Sequence, residues 1–201
     1  MIPSPGNEDE FNVMVKTKKI LGVMGSPRKN GNTHILVANI LEAAENAGAS
    51  TEIILLTDKN IEECDRCLAC WKDKECPKAD DMLDLYPKII ESDIIIFGTP
   101  VYWYGPTAIM KSFLDRFVYF NCPDNKIKIK GKQAMLVIPF EEETLATAEL
   151  VIEMFKRSFD YLEMNLTENI IVPGVGLRGD VLKKTESLNK CRELGSKLMS
   201  R

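Results

Sequence analysis

The chain has 201 residues, 45% hydrophobic and 28% charged, the balance of a single soluble globular domain large enough to bury a core. A net charge of −4 and a pI near 5.3, with no basic stretch interleaved with aromatics, argue against nucleic acid or another polyanion as partner. The longest apolar runs are strand-sized, too short for a membrane span.

Residues 1–18 carry Glu8, Asp9 and Glu10 and lack the apolar segment of a signal peptide. They read as a flexible extension ahead of one domain over 19–201, with a cytoplasmic, reducing setting expected. Six cysteines could pair as three disulfides, but a chain of this size needs no such staples. Ile20-Leu21-Gly22-Val23-Met24 is an apolar run ending at Gly25, a first buried strand. The loop from Gly25 to Thr33 then brings two glycines, the hydroxyls of Ser26 and Thr33, the amide of Asn32 and the guanidinium of Arg28 to the start of a helix. Glycines allow close backbone approach and a helix N-terminus offers free N–H groups, so this is a phosphate cradle, the plainer alternative being an ordinary turn. A Walker loop would have four residues between its glycines and a lysine where Asn32 stands, and this loop has no G-x-G-x-x-G spacing. A terminal monophosphate therefore fits better than a triphosphate or a Rossmann-bound NAD. The helix itself shows an apolar face of Ile35, Leu36, Ile40, Leu41 and Ala44, with Asn32 or Thr33 as cap and Gly48 as stop. His34, near its start, is read as structural or solvated.

Ile53-Ile54-Leu55-Leu56 is a second strand, and after it come Cys64, Cys67, Cys70 and Cys76, spaced C-x2-C-x2-C-x5-C and followed by Pro77. Soft thiolates at such intervals wrap one small inorganic centre, and the nearest pattern is the ferredoxin run C-x2-C-x2-C-x3-C-P, two residues shorter in its last gap. An iron–sulfur cluster, a zinc ion and reduced thiols without a ligand are the three readings of this loop, 62–80. Residues 80–91 form a helix that Pro87 should kink or restart.

Ile94-Ile95-Ile96-Phe97 is the third strand, and the loop after it holds Pro100, Val101 and three consecutive aromatics, Tyr102, Trp103 and Tyr104. So short a segment cannot sink all three rings in the core; a flat aromatic cofactor would give them a stacking partner, against simple packing on the next helix. Gly105-Pro106 opens that helix, with Ile109, Met110, Phe113, Leu114 and Phe117 on one stripe. Met135-Leu136-Val137-Ile138 is the fourth strand; Glu141-Glu142-Glu143 after it read as dipole partners at the start of a helix over 145–162. Ile170-Ile171-Val172, the turn Gly174-Val175-Gly176 and a helix over 181–199 complete the chain. Cys122 and Cys191 lie outside the quartet and read as ordinary thiols.

Strands and helices thus alternate, and continuous apolar runs mean strands covered on both faces. The fold expected is α/β, a flavodoxin-like doubly wound five-stranded parallel sheet of order 2-1-3-4-5, with the cysteine-rich loop after strand two. In such a sheet ligands gather beyond the carboxyl ends of the strands, where the first, second and third loops all lie.

Gly25-Ser26-Pro27-Arg28 with Gly31-Asn32-Thr33, the Pro100-Val101-Tyr102-Trp103 loop and Lys111-Ser112-Phe113-Leu114-Asp115-Arg116 together resemble the NADPH-dependent FMN reductase group of flavodoxin-like proteins, and the cysteine quartet narrows the resemblance to iron–sulfur flavoproteins. It covers residues 19 to about 120 and the remainder by element order. The resemblance implies that Ser26, Arg28, Asn32 and Thr33 hold the FMN phosphate, that Pro100, Val101, Tyr102 and Trp103 line the isoalloxazine, and that Cys64, Cys67, Cys70 and Cys76 bind a 4Fe-4S cluster. Relatives often carry a glycine-rich loop after strand four, where this chain has the acidic run. The expected function is a redox flavoprotein coupling two-electron flavin chemistry to one-electron transfer, with no catalytic side chain demanded. The alternatives are an NAD(P)H-dependent FMN or quinone reductase without a cluster and a zinc-stabilised FMN-binding module. The implied partners are ferredoxin, a quinone or a nicotinamide, and the implied assembly is a homodimer or homotetramer.

Overall fold

Apolar runs without alternation need cover on both faces, and the computed structural model supplies it. The structure describes residues 17–72 and 74–200, the side chain of Ser200 apart; the extension expected over 1–18 falls, except for residues 17 and 18, outside them. Five strands, β1 (Lys19–Met24), β2 (Ser50–Leu55), β3 (Ile94–Gly98), β4 (Gln133–Pro139) and β5 (Asn165–Val172), form one sheet of order β2-β1-β3-β4-β5 with every pairing parallel. The helices are α1 (Asn32–Asn46), α2 (Met82–Glu91), α3 (Ala108–Asp115), α4 (Val118–Asn121), α5 (Pro123–Ile129), α6 (Glu149–Tyr161) and α7 (Thr185–Lys197).

Because successive strand residues face opposite ways, neighbours in sequence belong to different cores. Ile20, Met24, Ile94 and Ile96 pack with α1 and α7 on one face, while Leu21, Val23, Ile95 and Phe97 pack with α2, α3 and α6 on the other. Three-layer packing of this kind leaves the loops after the carboxyl ends of β1, β2 and β3 at a common end of the sheet.

Several helix ends differ from the expected ones for local reasons. α1 is preceded by Gly31 as its cap, with no side-chain cap, so Asn32 and Thr33 are already helical. α3 begins at Ala108 behind Thr107, whose hydroxyl accepts the Met110 N–H; Pro106 stands outside the helix. α2 runs unbroken through Pro87. The carbonyl that the proline leaves without its amide is that of Leu83, on a residue 41% exposed, where water can take the bond. The acidic run is not in a helix's first turn: it lies in a bend, a 3-10 turn over Leu145–Ala148 follows, and Glu149 occupies the first turn of α6. The dipole reading of Glu141, Glu142 and Glu143 is therefore replaced by the contacts described next.

Candidate functional site

The first loop closes on itself before it meets anything else. Gly31 N–H donates to the Arg28 carbonyl at 3.0 Å, Arg28 N–H donates to the Ser26 hydroxyl at 3.2 Å, and Asn30 takes a left-handed φ of 55°. Ser26 and Thr33 are buried, and Arg28 reaches across to donate Nη1–H to the Gly176 carbonyl at 2.6 Å. Asn32 behaves differently. Its Nδ2 donates to the carbonyls of Val175 and Leu177 at 3.2 and 2.8 Å, and its Oδ1 accepts from Gly179 and Val181 at 2.9 and 3.3 Å. The side chain of Asn32 is thus a latch between α1 and the loop after β5, and what it can offer an anion is its main-chain N–H at the uncapped helix start.

The opposite wall comes from the loops after β3, β4 and β5. Ser26, Arg28, Asn32, Thr33, Pro100, Val101 and Tyr102 line one cleft of about 100 Å³ together with Phe140, Glu141 and Gly176, so the expected flavin residues are brought together with the exception of Trp103. Tyr102 and Gly105 pair through N–H to carbonyl bonds of 2.8 and 3.0 Å, and between them Trp103 and Tyr104 have φ of 51° and 59°. Positive φ at both central residues is the signature of a type I′ turn, which ordinarily uses Asn-Gly. Two bulky residues in that conformation cost about 1–3 kcal/mol each. The turn carries Trp103 out to 98% exposure at the cleft's rim, beside a wider hollow of about 430 Å³ that it shares with Tyr104, Phe140 and Glu142.

The loops after β4 and β5 are joined main chain to main chain. Val175 N–H donates to the Phe140 carbonyl at 2.9 Å and Gly174 N–H to the Glu142 carbonyl at 3.0 Å, zipping the two loops together. Gly174 has a left-handed φ of 69°, which favours glycine, and the Glu143 and Glu141 side chains lie over Gly174 and Gly176, where a Cβ would push their carboxylate ends aside. Gly174-Val175-Gly176-Leu177-Arg178-Gly179, after β5, does have the G-x-G-x-x-G spacing that the loop after β1 lacks. Its glycines serve the acidic loop and the Asn32 latch, and α7 starts only at Thr185 after a 3-10 turn, so no helix N-terminus follows them as a dinucleotide site requires.

The cysteine loop is irregular and is held by charge. Cys64, Cys67, Cys70 and Cys76 line one small cavity of about 20 Å³, floored by Tyr86 and Tyr119, whose rings stack at 4.0 Å. Arg66 and Leu68, with φ of 56° and 59°, fold the chain around Cys67, and Asp65 accepts the Cys67 N–H at 3.0 Å. Lys78 reaches Asp65 and Glu62 at 3.3 and 3.4 Å. Burial raises the Cys70 thiol above its ordinary pKa, the neighbouring Cys122, Cys76 and Cys64 add to the rise, and a hydrogen bond from the backbone opposes it. Among the described residues, no three acidic, histidine or cysteine side chains converge as ligands of a single ion. The four thiols share a cavity without sharing a point.

Arg116 and Asp80 were not among the expected site residues. Their side chains are 1% and 0% exposed and form an ion pair; Arg116 Nη1 also donates to the Glu62 carbonyl at 3.0 Å and Nη2 to Cys76 Sγ at 3.3 Å. Burial alone would raise the Asp80 carboxyl, but the bond and charge of Arg116 with the Glu62 and Met82 N–H groups outweigh it and hold it below the usual range. The signal was available: Arg116 stands three residues after Phe113, on the buried stripe of α3, where a charge needs a buried partner. At the other end of the same helix, Thr107 Oγ1 donates to the Gly25 carbonyl at 2.5 Å and Thr107 N–H to Thr99 Oγ1 at 3.2 Å. The two caps of α3 thus touch the two loops, about 13 Å apart by helix rise.

The family model of NADPH-dependent FMN reductases matches residues 18–169. An iron-sulfur flavoprotein of Methanocaldococcus jannaschii is 42% identical over 98 residues, 49% of this chain and 51% of the relative. An iron-sulfur flavoprotein of Archaeoglobus fulgidus is 29% identical over 190 residues, 90% of this chain and 94% of the relative. The chain spans about half the length of two of the curated relatives it matches, 51% and 54%. Among solved structures, an NAD(P)H:quinone oxidoreductase from Methanothermobacter marburgensis superposes with a TM-score of 0.70 at 19% identity, over 90% of this chain and 95% of that one, a likeness of fold.

Proposed function

The chain belongs to the NADPH-dependent FMN reductase family, and on that premise we propose an oxidoreductase that holds FMN in the cleft and a 4Fe-4S cluster in the cysteine loop. The observation that carries the reading is the presence of four thiols around one cavity at the end of the sheet where the phosphate-type loop also opens. Four soft thiolates at C-x2-C-x2-C-x5-C spacing come nearer to the ferredoxin pattern than to the paired C-x2-C knuckles of a zinc site. When bound, FMN exchanges electrons singly or in pairs and the cluster one at a time, so a protein with both couples the two kinds of chemistry.

The chain's own residues bind and orient. Ser26, Thr33, Arg28 and the first N–H groups of α1 receive the phosphate; Pro100, Val101 and Tyr102 bound the ring; Trp103 and Tyr104 stand at the rim, where a redox partner or a second subunit would arrive. The partner is a small electron carrier, a ferredoxin, quinone or nicotinamide, and the assembly a homodimer or homotetramer. Among the described residues no helix is long and apolar enough to cross a membrane.

Anaerobic purification followed by assay of FMN, iron and acid-labile sulfide tests the reading. The expected result is one flavin with about four iron and four sulfide per chain, the content of one such cluster. Flavin without iron or sulfide would reduce the protein to an NAD(P)H-dependent flavin or quinone reductase, and stoichiometric zinc without visible absorption would make it a zinc-stabilised module.

A further inference from the structure

We propose that Arg116 is a positioning residue for the cysteine site: it fixes the loop in ligating geometry and, through its bond to Cys76, favours addition of an electron there. The inference rests on the cluster reading above and goes beyond it by assigning a residue that is no ligand. A buried guanidinium loses its hydration at a cost of several kcal/mol, and a well-packed apolar pair would serve a core at least as well. The wiring of this pair is specific. Asp80 occupies Nη1 and accepts the N–H groups of Glu62 and Met82 at 2.9 and 3.1 Å, while Nη2 is turned to Cys76 Sγ at 3.3 Å. One ion pair therefore ties the start of the loop, its last cysteine and the start of α2 to α3, in a segment with little backbone pairing of its own.

The charge acts as well as the geometry. A donor to a ligating sulfur withdraws electron density, and a fixed cation beside an anionic thiolate centre stabilises the more negative, reduced state. One electron is added, no bond forms or breaks, and Arg116 keeps its proton throughout. Lys78 and Arg66 line the same cavity and reinforce the sign, but Arg116 alone of the three is fully buried, where screening is least.

The test uses the full-length holoprotein, purified anaerobically, as wild type, Arg116→Lys, and the double variant Arg116→Gln with Asp80→Asn, which removes both charges together. Iron and sulfide are counted per bound flavin, dithionite titrations followed by electron paramagnetic resonance give the potential against the flavin's own, and circular dichroism gives the melting point. The double variant is expected to keep flavin, to lose at least half its iron per flavin, and in the centres that remain to be reduced about tenfold less favourably, about 59 mV for one electron. Arg116→Lys keeps the charge but cannot reach carboxylate, carbonyl and sulfur at once, so its iron content falls between the two. Wild-type iron content and potential in both variants, with only a lower melting point, would overturn the inference and leave a plain core ion pair. If the double variant does not fold, Arg116→Lys decides on the same readouts: lowered iron per flavin supports the inference, and unchanged iron and potential overturn it. Wild-type protein lacking iron and sulfide would overturn the cluster reading and this inference with it, whereas indifferent variants of a cluster-bearing wild type overturn the inference alone.

Discussion

Around the cleft the holding contacts run mainly to main-chain groups, the Arg28 guanidinium included, whereas around the cysteines ion pairs between side chains take the larger share. The Asn32 amide, the Gly174 and Val175 N–H groups and the Thr107 hydroxyl join the loops after β1, β3, β4 and β5 into walls tied by protein–protein bonds. The cysteine loop, by contrast, is bounded by Arg116–Asp80 and Lys78–Asp65 and passes through two left-handed residues between its ends. A preorganised cleft needs no help to bind, but a loop short of backbone bonds draws its final order from what it ligates. The comparison predicts that the cleft outlives the loop and not the reverse.

The largest expected effect is that of Cys70→Ala, which should abolish cluster absorption while FMN stays bound at wild-type stoichiometry; loss of both chromophores together would mean the loop organises the cleft and would break the comparison. Next is Asn32→Ala, which strips acceptors from the Gly179 and Val181 N–H groups and a donor from two carbonyls. It should cost about 2–4 kcal/mol in urea unfolding and weaken FMN binding, with iron content per folded chain unchanged. A smaller change of opposite sign is expected from Trp103→Asn with Tyr104→Gly, which puts preferred residues in the strained turn: about 1 kcal/mol of added stability, with slower electron exchange at the rim and unaltered iron. The smallest is a pH effect. Asp80 has a lowered pKa, so its stabilisation is complete above its unfolded value near 4 and is lost as pH falls below that. Cluster-free protein should therefore lose urea resistance from about pH 4 downward, and the Arg116→Gln, Asp80→Asn variant should show a shallower decline.

The sheet was legible because its three central strands are apolar runs that a doubly covered parallel sheet buries, and the edge strands β2 and β5, which begin in polar residues, each end in an apolar stretch; the order followed from strand number and alternation. Both loops were legible by position and residue type. What escaped notice depends on pairs far apart in sequence. Nothing local in Asp80 announces Arg116, and nothing in Asn32 distinguishes a phosphate donor from a latch on Val175 and Leu177. The glycine pair after β5 looked like an ordinary turn because the acidic side chains it makes room for come some thirty residues earlier. Helix starts shifted where the capping group, Thr107 or the bare Gly31, was not the residue that local patterning favoured.

The chain has two tryptophans, and they fall one to each region: Trp71 sits in the 3-10 turn of the cysteine loop at 46% exposure, and Trp103 at the rim of the cleft at 98%. Their emission therefore divides by place. With either indole replaced by phenylalanine, the remaining fluorescence becomes a private signal of one region, so filling of the cleft and ordering of the cysteine loop can be timed separately, in one cuvette, without labels.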